Sequence, residues 1–258
     1  MDCKTQDNDM ISKQTEDIVY EKEDELFETV CAICDNGGHL ICCEGKCFRS
    51  FHATPDTEEA QDSVCETACL TSEELEKPYE CENCKYSLHQ CFVCAELGSS
   101  DESSKTEVFR CSATCRHFYH PRCVAKLLSK KDKAKQRALK EKIAAGEPFT
   151  CPAHKCVVCK KPENVKVEGM QFAICRRCPK AYHMKCLPSN IMFDHLAGDD
   201  DEIRGWIGLF IKSRALIYCL EHKMDPELGT PARPIIVRNI LNRKKERLME
   251  AHFKNLFI

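Results

Sequence analysis

The feature that most constrains this chain is a metal-ligand half-motif, two cysteines or a cysteine and a histidine two or three residues apart, recurring in one fixed order three times. The first pass reads Cys31-x2-Cys34, Cys43-x3-Cys47-x4-His52, a displaced Cys65, then Cys81-x2-Cys84. The second reads Cys91-x2-Cys94, Cys111-x3-Cys115-x4-His120-x2-Cys123, then Cys151-x2-His154. The third reads Cys156-x2-Cys159, Cys175-x2-Cys178-x4-His183-x2-Cys186, then Cys219-x2-His222. Structural zinc takes four thiolate or imidazole donors, and a C-x2-C turn supplies two of them, so eight ligands per pass make two tetrahedral sites. Of 22 cysteines the three passes use 19, leaving only Cys3, Cys42 and Cys69; with five histidines they provide for six zinc ions.

A cysteine-rich chain can also be an exported disulfide framework. Residues 1–30 contain no basic and then apolar signal region, and no apolar stretch approaches the roughly 18 residues of a membrane helix. A reducing compartment and no membrane association are therefore expected. Modules this small bury too little apolar surface to fold unaided, and zinc is expected to supply the deficit, at an apparent ~10–16 kcal/mol per structural ion.

The position of the histidine separates the cross-braced zinc modules. RING fingers carry it fourth of eight ligands and LIM domains third; here it comes fifth, after two complete cysteine pairs. That order resembles the plant homeodomain (PHD) finger, in which the ligands interleave. The resemblance implies that Cys31, Cys34, His52 and Cys65 hold one zinc while Cys43, Cys47, Cys81 and Cys84 hold its neighbour. It likewise implies Cys91, Cys94, His120 and Cys123 with Cys111, Cys115, Cys151 and His154, then Cys156, Cys159, His183 and Cys186 with Cys175, Cys178, Cys219 and His222. One departure stands out: Pro55 occupies the position where finger one should carry its next cysteine, leaving Cys65 as the replacement ligand and Cys69 as its rival. Two residues before each final pair a PHD finger packs an aromatic ring, and Tyr79, Phe149 and the weaker substitute Ile217 stand there as core residues.

The run from Cys31 to Gly45, the Gln-Cys-Phe-Val-Cys from Gln90 to Cys94 and the fused Cys151-Pro-Ala-His154-Lys-Cys156-Val-Val-Cys159 resemble the finger array of the plant Enhanced Downy Mildew chromatin regulators. The array is also similar to the PHD region of nuclear-receptor-binding SET-domain methyltransferases. The expected fold is a small zinc-stabilised α+β class, three tandem cross-braced PHD-type fingers packed as one array with added helices. Residues 1–30, with ten acidic and three basic side chains, read as an acidic arm whose last third orders against finger one. Finger one spans 31–84, finger two 91–154, finger three 156–222, and residues 223–258 form a linker and a basic C-terminal helix. Only six residues separate fingers one and two, and only Lys155 separates two and three, which excludes independent tumbling.

Two insertions lie before the final pairs. Residues 126–142 carry eight basic and two acidic side chains with apolar residues at helical spacing, predicting one amphipathic helix with a basic outer face. Residues 203–218 hold the only tryptophan, Trp206, in an apolar run that reads as added core or a domain interface.

Sites with four protein ligands leave no position for a reacting water, so catalysis is not expected. The resemblance implies instead that finger one binds the N-terminal tail of histone three as an added antiparallel strand. The docking strand is Gly38, His39, Leu40, Ile41 and Cys42, with Glu28, Asp35 and Glu44 as acceptors for the tail's cations. Ser50 stands where a methyl-lysine cage would carry tryptophan, favouring an unmodified ammonium. Phe118 and Ala181 hold that position in fingers two and three, which read as scaffold or protein-contact modules. Nucleic acid is the competing partner, on the strength of the basic helices. Against it, counting nineteen thiolates and six divalent ions takes the formal charge from −3 to about −10. The ligand order argues against a ubiquitin or SUMO ligase. The whole reads as a nuclear, zinc-binding chromatin protein with other chromatin regulators as partners.

Overall fold

The computed structural model describes residues 29–53, 76–198, 201–207, 214–226 and 229–231. The displaced ligand Cys65, its rival Cys69, Glu28, most of the acidic arm and the C-terminal helix all lie outside the described residues.

Each finger begins with the same turn. Cys31 N–H donates to the Asn36 carbonyl, Cys91 to Glu96 and Cys156 to Lys161, at 2.8–2.9 Å. The residue after the second cysteine is left-handed each time: Asp35, Ala95 and Lys160 have φ of 60°, 61° and 62°. A C-x2-C loop that points two sulfurs at one centre needs this tight reversal, and three non-glycine residues accept its cost of roughly 1–2 kcal/mol each. The residue after the first cysteine is equally regular: Ala32, Phe92 and Val157 donate to the carbonyls of Ser50, Phe118 and Ala181, each at 2.8 Å.

Short strands pin the ligands. In finger one, β1 (Leu40–Cys42) pairs antiparallel with β2 (Ser50–His52), and the short helix α1 (Glu82–Lys85) begins at the last cysteine pair. In finger two, β3 (Leu88–Gln90) pairs with β4 (Leu97–Ser99), and β5 (Phe109–Arg110) with β6 (Phe118–Tyr119). Finger three is larger, because residues 203–217 add two strands. β7 (Phe172–Cys175), β8 (Ala181–His183), β9 (Met192–Phe193), β10 (Ile203–Ile207) and β11 (Ala215–Ile217) form one sheet of order β8-β7-β11-β10-β9.

The insertion of finger two is not one helix. α2 (Pro121–Leu128) and α3 (Lys133–Ala144) are separated by residues 129–132, where Asp132 caps α3 by accepting from Lys135 N–H at 2.9 Å. The helical period of residues 126–142 hides a break because Lys and Ala suit either side of it; the carboxylate beside four orphan N–H groups decides the boundary. Ile143 closes α3 onto Tyr119, Val124 and Phe149 in the core of finger two.

The fingers touch through side chains that the repeat alone does not specify. Phe48 and Arg116 occupy the same left-handed position of fingers one and two, and the Arg116 guanidinium lies 3.9 Å from the Phe48 ring centre. Val30, the last residue of the arm, is fully buried against Leu216, Tyr218 and Met224, with Trp206 at the edge. The arm's end thus packs on finger three as well as leading into finger one, and Trp206, edge-on to Tyr218 at 5.5 Å, serves that interface.

Candidate metal centres and the finger-one edge

Five described clusters bring four donor atoms within 4.8 Å of one another: Cys43, Cys47, Cys81 and Cys84; Cys91, Cys94, His120 and Cys123; Cys111, Cys115, Cys151 and His154; Cys156, Cys159, His183 and Cys186; Cys175, Cys178, Cys219 and His222. These are the interleaved sets that the PHD resemblance implies. In finger one Cys34 Sγ lies 3.4 Å from His52 Nδ1, and Cys65 falls outside the described residues.

Backbone amides complete each brace. Cys81, Cys151 and Cys219 donate to the sulfurs of Cys43, Cys111 and Cys175 at 3.2–3.5 Å, tying the last pair to the second. His120 and His183 donate to the sulfurs of Cys91 and Cys156 at 3.3 and 3.4 Å. Gly45 is required in the second cysteine loop of finger one, because a Cβ there would sit 2.6 Å from Cys84 Cβ.

The histidines divide into two kinds. His52, His120 and His183 turn Nδ1 toward a thiol at 3.4, 3.4 and 3.2 Å. The opposite nitrogen of His52 and His183 meets the carbonyls of Gly37 and Pro162, an outer bond that fixes the tautomer of a metal-binding imidazole. His154 and His222 instead bury Nε2 without a hydrogen-bond partner. A buried nitrogen facing thiols with no proton to share is what an Nε2-bound cation would satisfy.

The thiols themselves call for a cation. In the three second sites, hydrogen bonds from neighbouring thiols drive Cys84, Cys111 and Cys219 well down, while Cys47, Cys115 and Cys178 are pushed well up by the same neighbours. Burial holds Cys123 up at about 12. Thiols packed this closely cannot all ionise unaided, and a divalent ion removes the conflict. The donor sets fit zinc. It would be held by these residues as a closed four-ligand ion that supplies folding energy.

One buried histidine escaped the sequence reading. His89, 3% exposed in β3, places Nε2 3.4 Å from Cys84 Sγ and Nδ1 2.7 Å from Ser100 Oγ, and stacks on Phe118 at 3.8 Å. It couples the all-cysteine site of finger one to the core of finger two. No spacing signal marks it, since it lies between motifs.

The expected tail-binding residues fare unequally. Leu40 and Ile41 are half-buried in β1, and Gly38, His39 and Glu44 are exposed. Ser50 is fully buried and 3.5 Å from Cys42 Sγ. Asp35 is not an open acceptor. Its side chain is 6% exposed and accepts from Arg176 Nε at 3.0 Å, Arg177 Nη2 at 2.5 Å and the Tyr218 hydroxyl at 2.7 Å. Two guanidinium groups of finger three outcompete any mobile ligand for this carboxylate, which clamps finger one to finger three. A further acidic group lies near this edge, Glu80. Its Oε1 lies 3.1 Å from where a Gly45 Cβ would be, and Glu44 N–H donates to the Tyr79 carbonyl at 2.8 Å, placing Glu80 beside the end of β1. Phe118, 6% exposed under His89, is core. Among the described residues no helix is long and apolar enough to cross a membrane.

Known proteins carry the same kind of module. Residues 87–154 match the family described as histone-lysine N-methyltransferase NSD-like, PHD zinc finger, and residues 156–224 match its variant PHD zinc finger. Protein Enhanced Downy Mildew 2 of Arabidopsis thaliana is 45% identical over 256 residues, 95% of this chain and 19% of that protein. The mouse histone-lysine N-methyltransferase, H3 lysine-36 specific, is 30% identical over 162 residues, 61% of this chain and 5% of that protein. Increased DNA methylation 1 of Arabidopsis thaliana is 32% identical over 103 residues, 40% of this chain and 7% of that protein. The chain therefore spans less than a fifth of the length of these relatives. It is a zinc-binding array whose second and third fingers match the NSD-like PHD families and which, along nearly all its length, resembles the finger region of the plant Enhanced Downy Mildew chromatin regulators.

Proposed function

We propose that this array is a nuclear, non-catalytic chromatin adaptor whose first finger binds the N-terminal tail of histone three along the outer edge of β1. The observation that carries the reading is the direction of the β1 backbone. Cys43 N–H bonds to Arg49 O and Ile41 stands opposite Phe51, so the alternate residues Leu40 and Cys42 turn their backbone groups away from β2. Among the described residues β1 pairs only with β2. A tail laid antiparallel on that edge extends the sheet by backbone bonds alone.

The antiparallel direction sets the polarity. The tail's N-terminus lies at the Cys42 end, beside Glu44, Glu80 and the carbonyls of residues 77–80. Its first lysine lies toward Gly38. With Asp35 committed to Arg176 and Arg177, the free amine is the dominant determinant and the lysine a lesser one. No ring replaces buried Ser50, so trimethylation brings no cation–π gain and removes every N–H donor.

Calorimetry on the full zinc-loaded chain tests this. A tail with a free N-terminus should bind at least about tenfold more tightly than its acetylated form, from loss of charge-assisted hydrogen bonds. The unmodified first lysine should bind as well as or better than the trimethylated one. Equal affinity for free and acetylated tails would overturn the edge-docking reading.

A further inference from the structure

Helix α3 is an unusual element for an acidic chain. Of its twelve residues only Ile143 is buried, with Gln136 and Leu139 half-buried on the same stripe against α2. At about 100° per residue, the remaining positions fall into an ordered pattern around that stripe. Lys133, Arg137 and Lys140 form a row along one flank, and Lys135 and Lys142 form a row along the other. Between them, on the crest facing solvent, stand Ala134, Ala138 and Glu141. Lys142 pairs with Glu147 at 3.4 Å, whereas the side chains of Lys133, Lys135, Arg137 and Lys140 have no ion-pair partner among the described residues. The one acid at the start, Asp132, is occupied in capping the helix.

We propose that α3 is a contact element for the phosphate backbone of duplex DNA, separate from the finger-one edge. Two cationic rows either side of a crest largely of small residues let a helix approach a polyanion closely while its side chains reach phosphates on both sides. The Ile143 stripe docks the helix on finger two, and its Ala, Lys, Leu and Arg content favours the helical state, so both cationic rows are held in place on the solvent side. The acidic total charge does not oppose the contact, because fields from groups more than about 8 Å away are screened at physiological ionic strength. The binding would be independent of base sequence, since phosphate contacts carry no sequence information.

Fluorescence anisotropy with the full zinc-loaded chain and a mixed-sequence duplex of about 20 base pairs tests the proposal. Log affinity against log salt should fall with a slope of about −4, as for four or five phosphate contacts. Replacing Lys133, Arg137 and Lys140 together with Gln, which preserves helix propensity, should weaken binding by at least about tenfold and make the slope shallower by about 3. Glu141→Gln, which removes the one carboxylate on the crest, should tighten binding by at least about threefold, because that charge meets the phosphates directly. Unchanged affinity and slope in the triple variant would overturn the proposal, as would no measurable binding by the parent chain. Tighter binding of a single strand of the same length, or displacement of the duplex by a polyglutamate peptide of equal charge at equal concentration, would overturn it in favour of a different partner.

Discussion

Asp35 of finger one and Lys160 of finger three stand at the same point of the same zinc turn, with φ of 60° and 62°, yet they do opposite work. Lys160 is exposed and folds back to the Val157 carbonyl of its own loop. Asp35 is buried and bonded to three side chains of another finger. The turn dictates the backbone because two sulfurs must face one ion. It leaves the side chain free, and that freedom is what lets near-identical modules assemble in one particular way.

Removing metal should erase the comparison entirely. Elemental analysis of the native chain should return six zinc ions, and strong chelation should abolish the near-ultraviolet circular dichroism of buried Tyr119 and Tyr218, since each structural ion is worth an apparent ~10–16 kcal/mol. Three or fewer ions in a folded chain would break the six-site assignment. Within finger one, Cys65→Ser should lower the count by one ion while Cys69→Ser leaves it unchanged; the reverse result would make Cys69 the ligand.

Thermal melting sharpens the contrast between the equivalent turns. Asp35→Ala takes the carboxylate away from two buried guanidinium groups and should cost about 3–5 kcal/mol. Lys160→Ala removes an exposed side chain and should stay within about 0.5 kcal/mol. Equal effects at the two positions would mean that the finger-one to finger-three clamp contributes no more than a surface pair.

The smallest effect should come from α3 and the turn that precedes it. Charge reversal at Lys131, Lys135 and Arg137 should leave histone-tail affinity within a factor of about two, because exposed charges act mainly through screened long-range fields. A large loss, measured by the same calorimetry, would bring the helix into the tail-binding surface.

What could be read in the sequence was local. Ligand spacing and the inward ring positions Tyr79, Phe149 and Ile217 depend on turns of a few residues, whereas the interleaved sets, which join residues as far apart as Cys43 and Cys84, were implied by the PHD resemblance. The Asp132 cap was legible in principle, being an aspartate ahead of a helical run, but the unbroken Lys and Ala content masked it. The fate of Asp35 was not legible, because its partner Arg176 lies 141 residues away. His89 gave no signal for the same reason: its meaning comes from Cys84, Ser100 and Phe118 meeting around it.

The sequence by itself determined the zinc chemistry and the kind of module, since few residue types bind zinc and a cysteine pair carries its own geometry. The tertiary structure alone decided which groups remain open to a partner. Asp35 lost its availability to two arginines, Ser50 and Phe118 went into the interior, and Glu80 was brought to the end of β1. Availability is a matter of burial and competing charge, and both are set by neighbours that only folding brings together.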